Sequence, residues 1–351
     1  MIVLFWIALV IGIVLDGEVY RWSSTIPLDG EDIALSDHGV IVRPVGEIIP
    51  VVIPWYDVRS LPEGWTGDAL KYKEIAETTR RARDRRLRGD PVSAGPLYLQ
   101  LDQRLHPVHS QQRADIALGI MEYALGTADV AMAITGWLGV LEQEDHGFLS
   151  EGSGIDPKSG LHPGIVPVFD HPQALDLSAA ATAITNEREL ILLELYKLAA
   201  MQEMSAPVDT QIEDLSKRIR AFGNRETGLR FVHDLVSCQL LMDATKRKAK
   251  RESLRRGIRS GSEGWMESWA RLAIGVSLMR EDENEDRERG VLECIAVVVA
   301  SRDTPSSVVV LASQLGAQYL RTTGRTAQAD TLEMSALIEP STENQQPEPT
   351  R

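Results

Sequence analysis

Met1 to Leu15 reads MIVLFWIALVIGIVL, a run at the extreme N-terminus with no charged side chain. A run of this kind is a signal peptide, a membrane anchor or a buried core helix. As helix, fifteen residues reach about 22 Å, short of the roughly 30 Å hydrocarbon core. Extended to Trp22 the helix reaches about 33 Å, and Tyr20, Arg21 and Trp22 form an interfacial collar. No Lys or Arg precedes the run and DGEVYRW follows it without a small-residue cleavage site. These features predict an uncleaved single-pass anchor over residues 1–22, with a short exterior N-terminus and a cytoplasmic body.

Composition narrows the rest. The chain has 351 residues, with Lys+Arg 37 against Asp+Glu 51 and a net charge of -14. Nucleic acid is therefore not an expected partner, because phosphate neutralisation needs a net basic face. The two cysteines, Cys238 and Cys294, are too few for a disulfide framework and sit in apolar helical contexts as reduced core residues.

Prolines 27, 44, 50, 54 and 62 break any helix between residues 23 and 66. Between them lie β-branched runs at 32–35, 40–42 and 48–53, with Asp37-His-Gly39 as a turn. A small juxtamembrane β module of about three strands is expected. Gly39-Val-Ile-Val and Ile53-Pro-Trp-Tyr-Asp-Val58 resemble the opening strands of bacterial pleckstrin-homology-like domains that follow membrane anchors. That resemblance implies about seven strands and a closing helix.

Helix-forming sequence starts at Asp68, read as an N-cap, and continues to Arg88 with six arginines from Arg80 on. Residues 89–96 read as loop and Pro96 to Leu101 as a short strand. Gln111 to Gly126 and Ala128 to Gln143 read as a helical hairpin. Five glycines and four prolines make 144–172 a long irregular loop. Helices then follow at 174–204, 208–222, 227–259, 265–279, 287–301, 305–323 and 326–338, before a disordered acidic tail over 340–351. The domain plan is thus an anchor at 1–22, a β module at 23–66, a helical segment at 67–143, the loop, and a helical domain at 173–339. Leu315-Gly316-x-x-Tyr319, Gly324, Ala329, Ala336 and Pro340 resemble the tetratricopeptide signature, which implies one closely packed helical hairpin.

Chemistry is sparse. The loop carries Glu144, Asp145, His146, Glu151, Asp156, His162, Asp170 and His171; His146, His162, His171 and Asp170 are the metal candidates, and His106 and His109 offer further ligands. No H-E-x-x-H, C-x-x-C, P-loop or G-x-S-x-G pattern supports them. Lys246, Arg247, Lys248, Lys250, Arg251, Arg255, Arg256 and Arg259 face one acid, Glu252, and form a cationic band. The band is either a solvated face paired with the acidic run 281–286 or a contact for anionic lipid or a partner. Trp265 and Trp269 share a helix face with Leu272 and Val276 and read as core.

The expected protein is mainly α: a transmembrane helix, a small β module and a large all-helical domain. Its expected role is a membrane-anchored, non-catalytic scaffold that presents a helical protein-interaction surface, needs no cofactor, and binds a protein partner or its own copies. The alternatives are a metal-dependent enzyme sited in 144–172, or a structural component of a large membrane assembly, viral ones included.

Overall fold

Alternation decides the N-terminal structure. In Gly17-Glu-Val-Tyr20 the Val19 side chain is fully buried while Glu18 and Tyr20 are exposed, the period of a strand with one face on a core. Leu15–Arg21 is strand β1. It pairs antiparallel with β2 (Leu28–Ser36) through Val19 and Leu28, and with β5 (Val58–Ser60) through Tyr20 and Ser60. The expected anchor over 1–22 is therefore corrected. Residues 15–21 are sheet, and among the described residues no helix is long and apolar enough to cross a membrane. The single-pass placement and the orientation built on it fall with that helix. The computed structural model describes residues 15–105, 108–148, 152–169, 177, 184–201, 206–223, 226–259, 264–300 and 304–337; residues 1–14 and the tail lie outside them.

The sheet has five strands in the order β4-β3-β2-β1-β5, with β3 at Gly39–Pro44 and β4 at Val51–Ile53. Ser36 pairs with Gly39 across Asp37-His38, at the expected turn, and Gly39 itself belongs to β3 at φ +145°. One face buries Val19, Ile33, Val40, Val42, Ile53 and Trp55. Each such side chain contributes about 1.5–3 kcal/mol by leaving water. Trp55 stacks on Tyr72 at 5.0 Å and donates its indole N–H to the Ser36 carbonyl at 3.0 Å.

Helix α1 (Leu70–Leu87) starts after one 3-10 turn and packs on this core. Helix α2 spans Pro91–Arg104, where a loop and a short strand are the sequence expectation. Asp90 caps it by accepting from the Ser93 amide at 3.0 Å, and Pro91 takes the first helical position, where its missing N–H costs nothing. Pro96 forfeits one helical bond, offset by the burial of Ala94, Tyr98 and Leu101. Helices α3 (Gln111–Gly126) and α4 (Val130–Asp145) form the expected hairpin. The arginines of α1 close onto α3: Asp115, buried, accepts from Arg83 at 2.6 Å, Arg86 at 3.1 Å and Tyr98 at 3.1 Å.

The chain divides into two compact units, Met1–Ser153 and Gly154–Arg351. The second contains α5 (Glu187–Ala199), α6 (Ala206–Ala221), α7 (Thr227–Leu240), α8 (Ala244–Arg259), α9 (Gly264–Met279), α10 (Asn284–Val299), α11 (Ser306–Thr322) and α12 (Thr326–Leu337). The single helix expected over 227–259 is broken at 241–243. There the Asp243 carboxylate accepts from the Thr245 and Lys246 amides and starts α8 afresh. Consecutive helices pack as hairpins, and α5, α7, α9 and α11 also touch one another in a row. Gly275 on α9 and Gly290 on α10 let two backbones meet: a Cβ on Gly290 would stand 2.7 Å from the Gly275 carbonyl oxygen. Trp269, Leu272 and Val276 are buried as the stripe predicts.

Candidate functional site

In the second unit, residues 156–168 are ordered by their own side chains and by the helices beneath them. Asp156 accepts from the Lys158 and Ser159 amides at 3.3 and 2.9 Å and from the Ser159 hydroxyl, building a turn. His162 Nδ1 accepts the Gly164 amide at 3.1 Å, which places the ring proton on Nε2. Burial lowers its pKa from 6.5 to about 4, so the ring is neutral near pH 7. Leu161, Ile165, Val166 and Val168 are buried.

Five backbone carbonyls of 159–167 are taken by side-chain donors from four helices. Arg188 on α5 donates to Ser159 O at 3.0 Å and Trp269 on α9 to Pro163 O at 2.8 Å. The Tyr196 hydroxyl on α5 donates to Ile165 O, and Gln239 on α7 to Pro167 O at 3.2 Å. Ser307 on α11 reaches Gly164 O at 3.4 Å. The segment thus lies across the first helix of each of four successive hairpins. Residues 162–165 form a turn, closed by the Ile165 amide donating to the His162 carbonyl at 3.0 Å, and the carbonyls of 163, 164, 165 and 167 are presented by this turn and the bend that follows it. Several amides of the stretch are also engaged or missing: Pro163 and Pro167 have none, Gly164 and Ile165 bond to His162, and Leu161 bonds to the Ser159 hydroxyl.

The candidates of the irregular loop fall in different parts of the chain. Glu144, Asp145 and His146 belong to the last turn of α4 and its cap, in the first unit, whereas Asp156 and His162 belong to the second. Glu151, Asp170, His171 and His106 lie outside the described residues. The structure brings His146 to His109, one of the further ligands the sequence offers, and to Glu142, with ligand atoms within 4.8 Å of one another. The i, i+4 spacing of Glu142 and His146 on a helix is the signal that marks this pair. The two imidazoles stack at 3.5 Å and 7°, and His109 Nε2 stands 4.0 Å from the buried Glu142 carboxylate. Burial, then the neighbouring His146, lowers the pKa of His109, with Glu142 opposing.

Two of these three donors suit a cation and one does not. His146 donates from Nδ1 to the Glu142 carbonyl at 2.8 Å, leaving Nε2 as a ligand with a fixed tautomer. His109 meets the wrong partner. Gln143 accepts the Ser110 amide on its oxygen at 3.0 Å, so its NH₂ faces His109 Nδ1 at 3.3 Å. Nδ1 is then the acceptor and Nε2 carries the proton, the opposite of what ligation through Nε2 requires.

On α8 most of the cationic band is spent on structure. Arg247 grips Glu281 with two bonds at 3.1 and 2.9 Å, and Arg251, buried, reaches the same carboxylate at 2.6 Å and Ser277 at 2.9 Å. Hydrogen bonds from Arg247 first, then Arg251, hold Glu281 below the usual carboxylate range. Lys246 pairs with Glu213, Lys250 with Asp234 and Arg255 with Glu293. Lys248, Arg256 and Arg259 are exposed and form no ion pair among the described residues. Of the acidic run 281–286, Glu281 meets the band, while Glu285 and Asp286 pair with Arg289.

On the hairpin α11–α12, Gly316 and Ala329 are buried, and a Cβ on Gly316 would stand 2.8 Å from Leu332. Compared with known proteins, the chain matches no family model, no curated protein and no solved structure.

Proposed function

We propose that the chain is a non-catalytic protein-interaction adaptor whose second unit holds a proline-containing turn segment across the first helices of its hairpins. The observation that carries this is the row of side-chain donors, Trp269, Tyr196 and Gln239, on alternate carbonyls of residues 163–167. Each of these contacts is made by a donor. A segment with proline at two of these positions suits such a row, since it brings fewer amides that need acceptors. Helices that grip backbone rather than side chains recognise a chain conformation, with apolar subsites for residues such as Ile165 and Val168 adding selectivity. The chain's own segment fills the groove, so a partner of the same chemistry enters by exchange. The tetratricopeptide-like hairpin at α11–α12 agrees with this reading.

The test uses fluorescein-labelled LHPGIVPVF-amide, the sequence of residues 161–169. In an I165S/V168S variant of the full chain, the tethered segment is weakened while the donors stay. Saturable anisotropy is expected with the variant. At least tenfold weaker binding is expected with the unaltered chain, whose segment competes at an effective concentration on the order of millimolar. A variant that keeps the parental circular dichroism yet binds no peptide overturns the proposal.

A further inference from the structure

We propose that the first unit carries a binding site for a small anion with a flat apolar body, in the cleft between the sheet and α1. Two cavities, of 470 and 700 Å³, meet at Trp22, Arg80 and Asp84. The backbone at this junction is pinned: the Trp22 amide donates to the Asp57 carbonyl at 2.8 Å, and Ser23 bonds twice to the Asp57 carboxylate, at 2.7 and 2.6 Å. The Trp22 side chain nonetheless stays 48% exposed, with the Arg80 guanidinium 3.6 Å over its ring. Trp65 lines the smaller cavity as a second, half-buried indole.

The charges are unequally committed. Arg80 pairs with Asp84 at 3.7 Å, and Glu77 stands 4.0 Å from Lys73. Arg59 and Arg81, both exposed and both lining the smaller cavity, form no ion pair among the described residues. Arg59 also lies 5.3 Å from the centre of the Trp22 ring. In a chain of net charge -14, two guanidiniums without an ion pair among the described residues, beside two indoles, are a local exception. A guanidinium gives a carboxylate, sulfonate or phosphate two parallel hydrogen bonds, and an indole face holds a flat ring by stacking. Only a ligand with both parts uses both features.

The probe is 8-anilino-1-naphthalenesulfonate, a flat aromatic sulfonate, set against its uncharged counterpart N-phenyl-1-naphthylamine, each titrated into the full chain by fluorescence. Binding of the sulfonate at least tenfold tighter than the neutral dye is expected. R59Q/R81Q should remove that preference and leave the neutral dye within twofold, and W22A should weaken both. K248Q/R256Q, on exposed cations of α8, is the control and should change neither. Equal affinity for the two dyes, or an R59Q/R81Q variant that keeps the parental circular dichroism and the full sulfonate preference, overturns the site. A sulfonate preference lost equally in K248Q/R256Q also overturns it, since attraction is then to net charge. Because the dyes address the first unit and the peptide the second, the two proposals fail independently.

Discussion

Asp115→Asn tests the centre of the first unit, since it changes one atom and removes the charge that three donors share. Arg83 and Arg86 stand 2.6 and 3.1 Å from the same carboxylate oxygen, and the Asp115 side chain is 2% exposed. At an effective dielectric near 20, each pair at about 4 Å between charge centres is attracted by about 4 kcal/mol, and desolvation cancels much of this. Removing one partner of a buried pair strands the other, at about 3–5 kcal/mol. Arg86 keeps Glu122 at 3.1 Å, which puts the expected loss at the lower end, about 3 kcal/mol. For a unit of this size that is a fall in melting temperature of roughly 6–12 °C. Urea unfolding followed by tryptophan fluorescence measures it, with D115N/R86M closing the double-mutant cycle. A loss under about 1 kcal/mol in D115N, or additive effects in the cycle, would refute the account of how α1 is fastened to α3.

Other expectations concern both units. Gly290→Ala puts a Cβ 2.7 Å from the Gly275 carbonyl and must separate α9 from α10, at about 1–3 kcal/mol by thermal melting; an unchanged melting temperature contradicts that crossing. His162, with its pKa lowered from 6.5 to about 4, binds its proton more readily in the unfolded chain. Stability of the second unit is therefore full above pH 6.5 and falls as pH drops towards 4, and H162N should flatten that slope in urea titrations at pH 7 and 4.5. Gln143→Glu gives His109 Nδ1 an acceptor while still satisfying the Ser110 amide, so it should raise zinc affinity about 10–100-fold over the unaltered chain by calorimetry. Stoichiometric zinc on the unaltered chain, lost in H146A, contradicts the tautomer assignment.

Legibility in the sequence followed range. Strands β2, β3 and β4 announced themselves through β-branched runs between prolines, and α3, α4, α9, α11 and α12 through periodicity, because those signals are local. β1 was hidden because Leu15 ends an apolar run: a helix continued through Val19 satisfies the same composition as a strand, and only pairing with residues 28–33 and 58–60 decides between them. α2 was hidden because GDPVSAGP has a loop's composition, and its helix rests on the Asp90 cap and on Gly95 fitting against the Tyr123 ring, a contact 28 positions away. The row of donors on 159–167 was least legible of all, since Trp269 and Pro163 are 106 positions apart and backbone carbonyls leave no mark in sequence. His146 and His109 were both singled out, but their meeting with each other and with Glu142 required the α3–α4 hairpin to fold.

The groove itself is addressed most directly by photo-crosslinking. LHPGIVPVF-amide with p-benzoylphenylalanine in place of its first valine, the counterpart of Val166, is irradiated on the I165S/V168S chain and the adducts are mapped by mass spectrometry. Adducts on α5, α7 and α9, competed away by unlabelled peptide, are the predicted result. Adducts confined to α6, α8 and α10, or to residues before Gly154, contradict it.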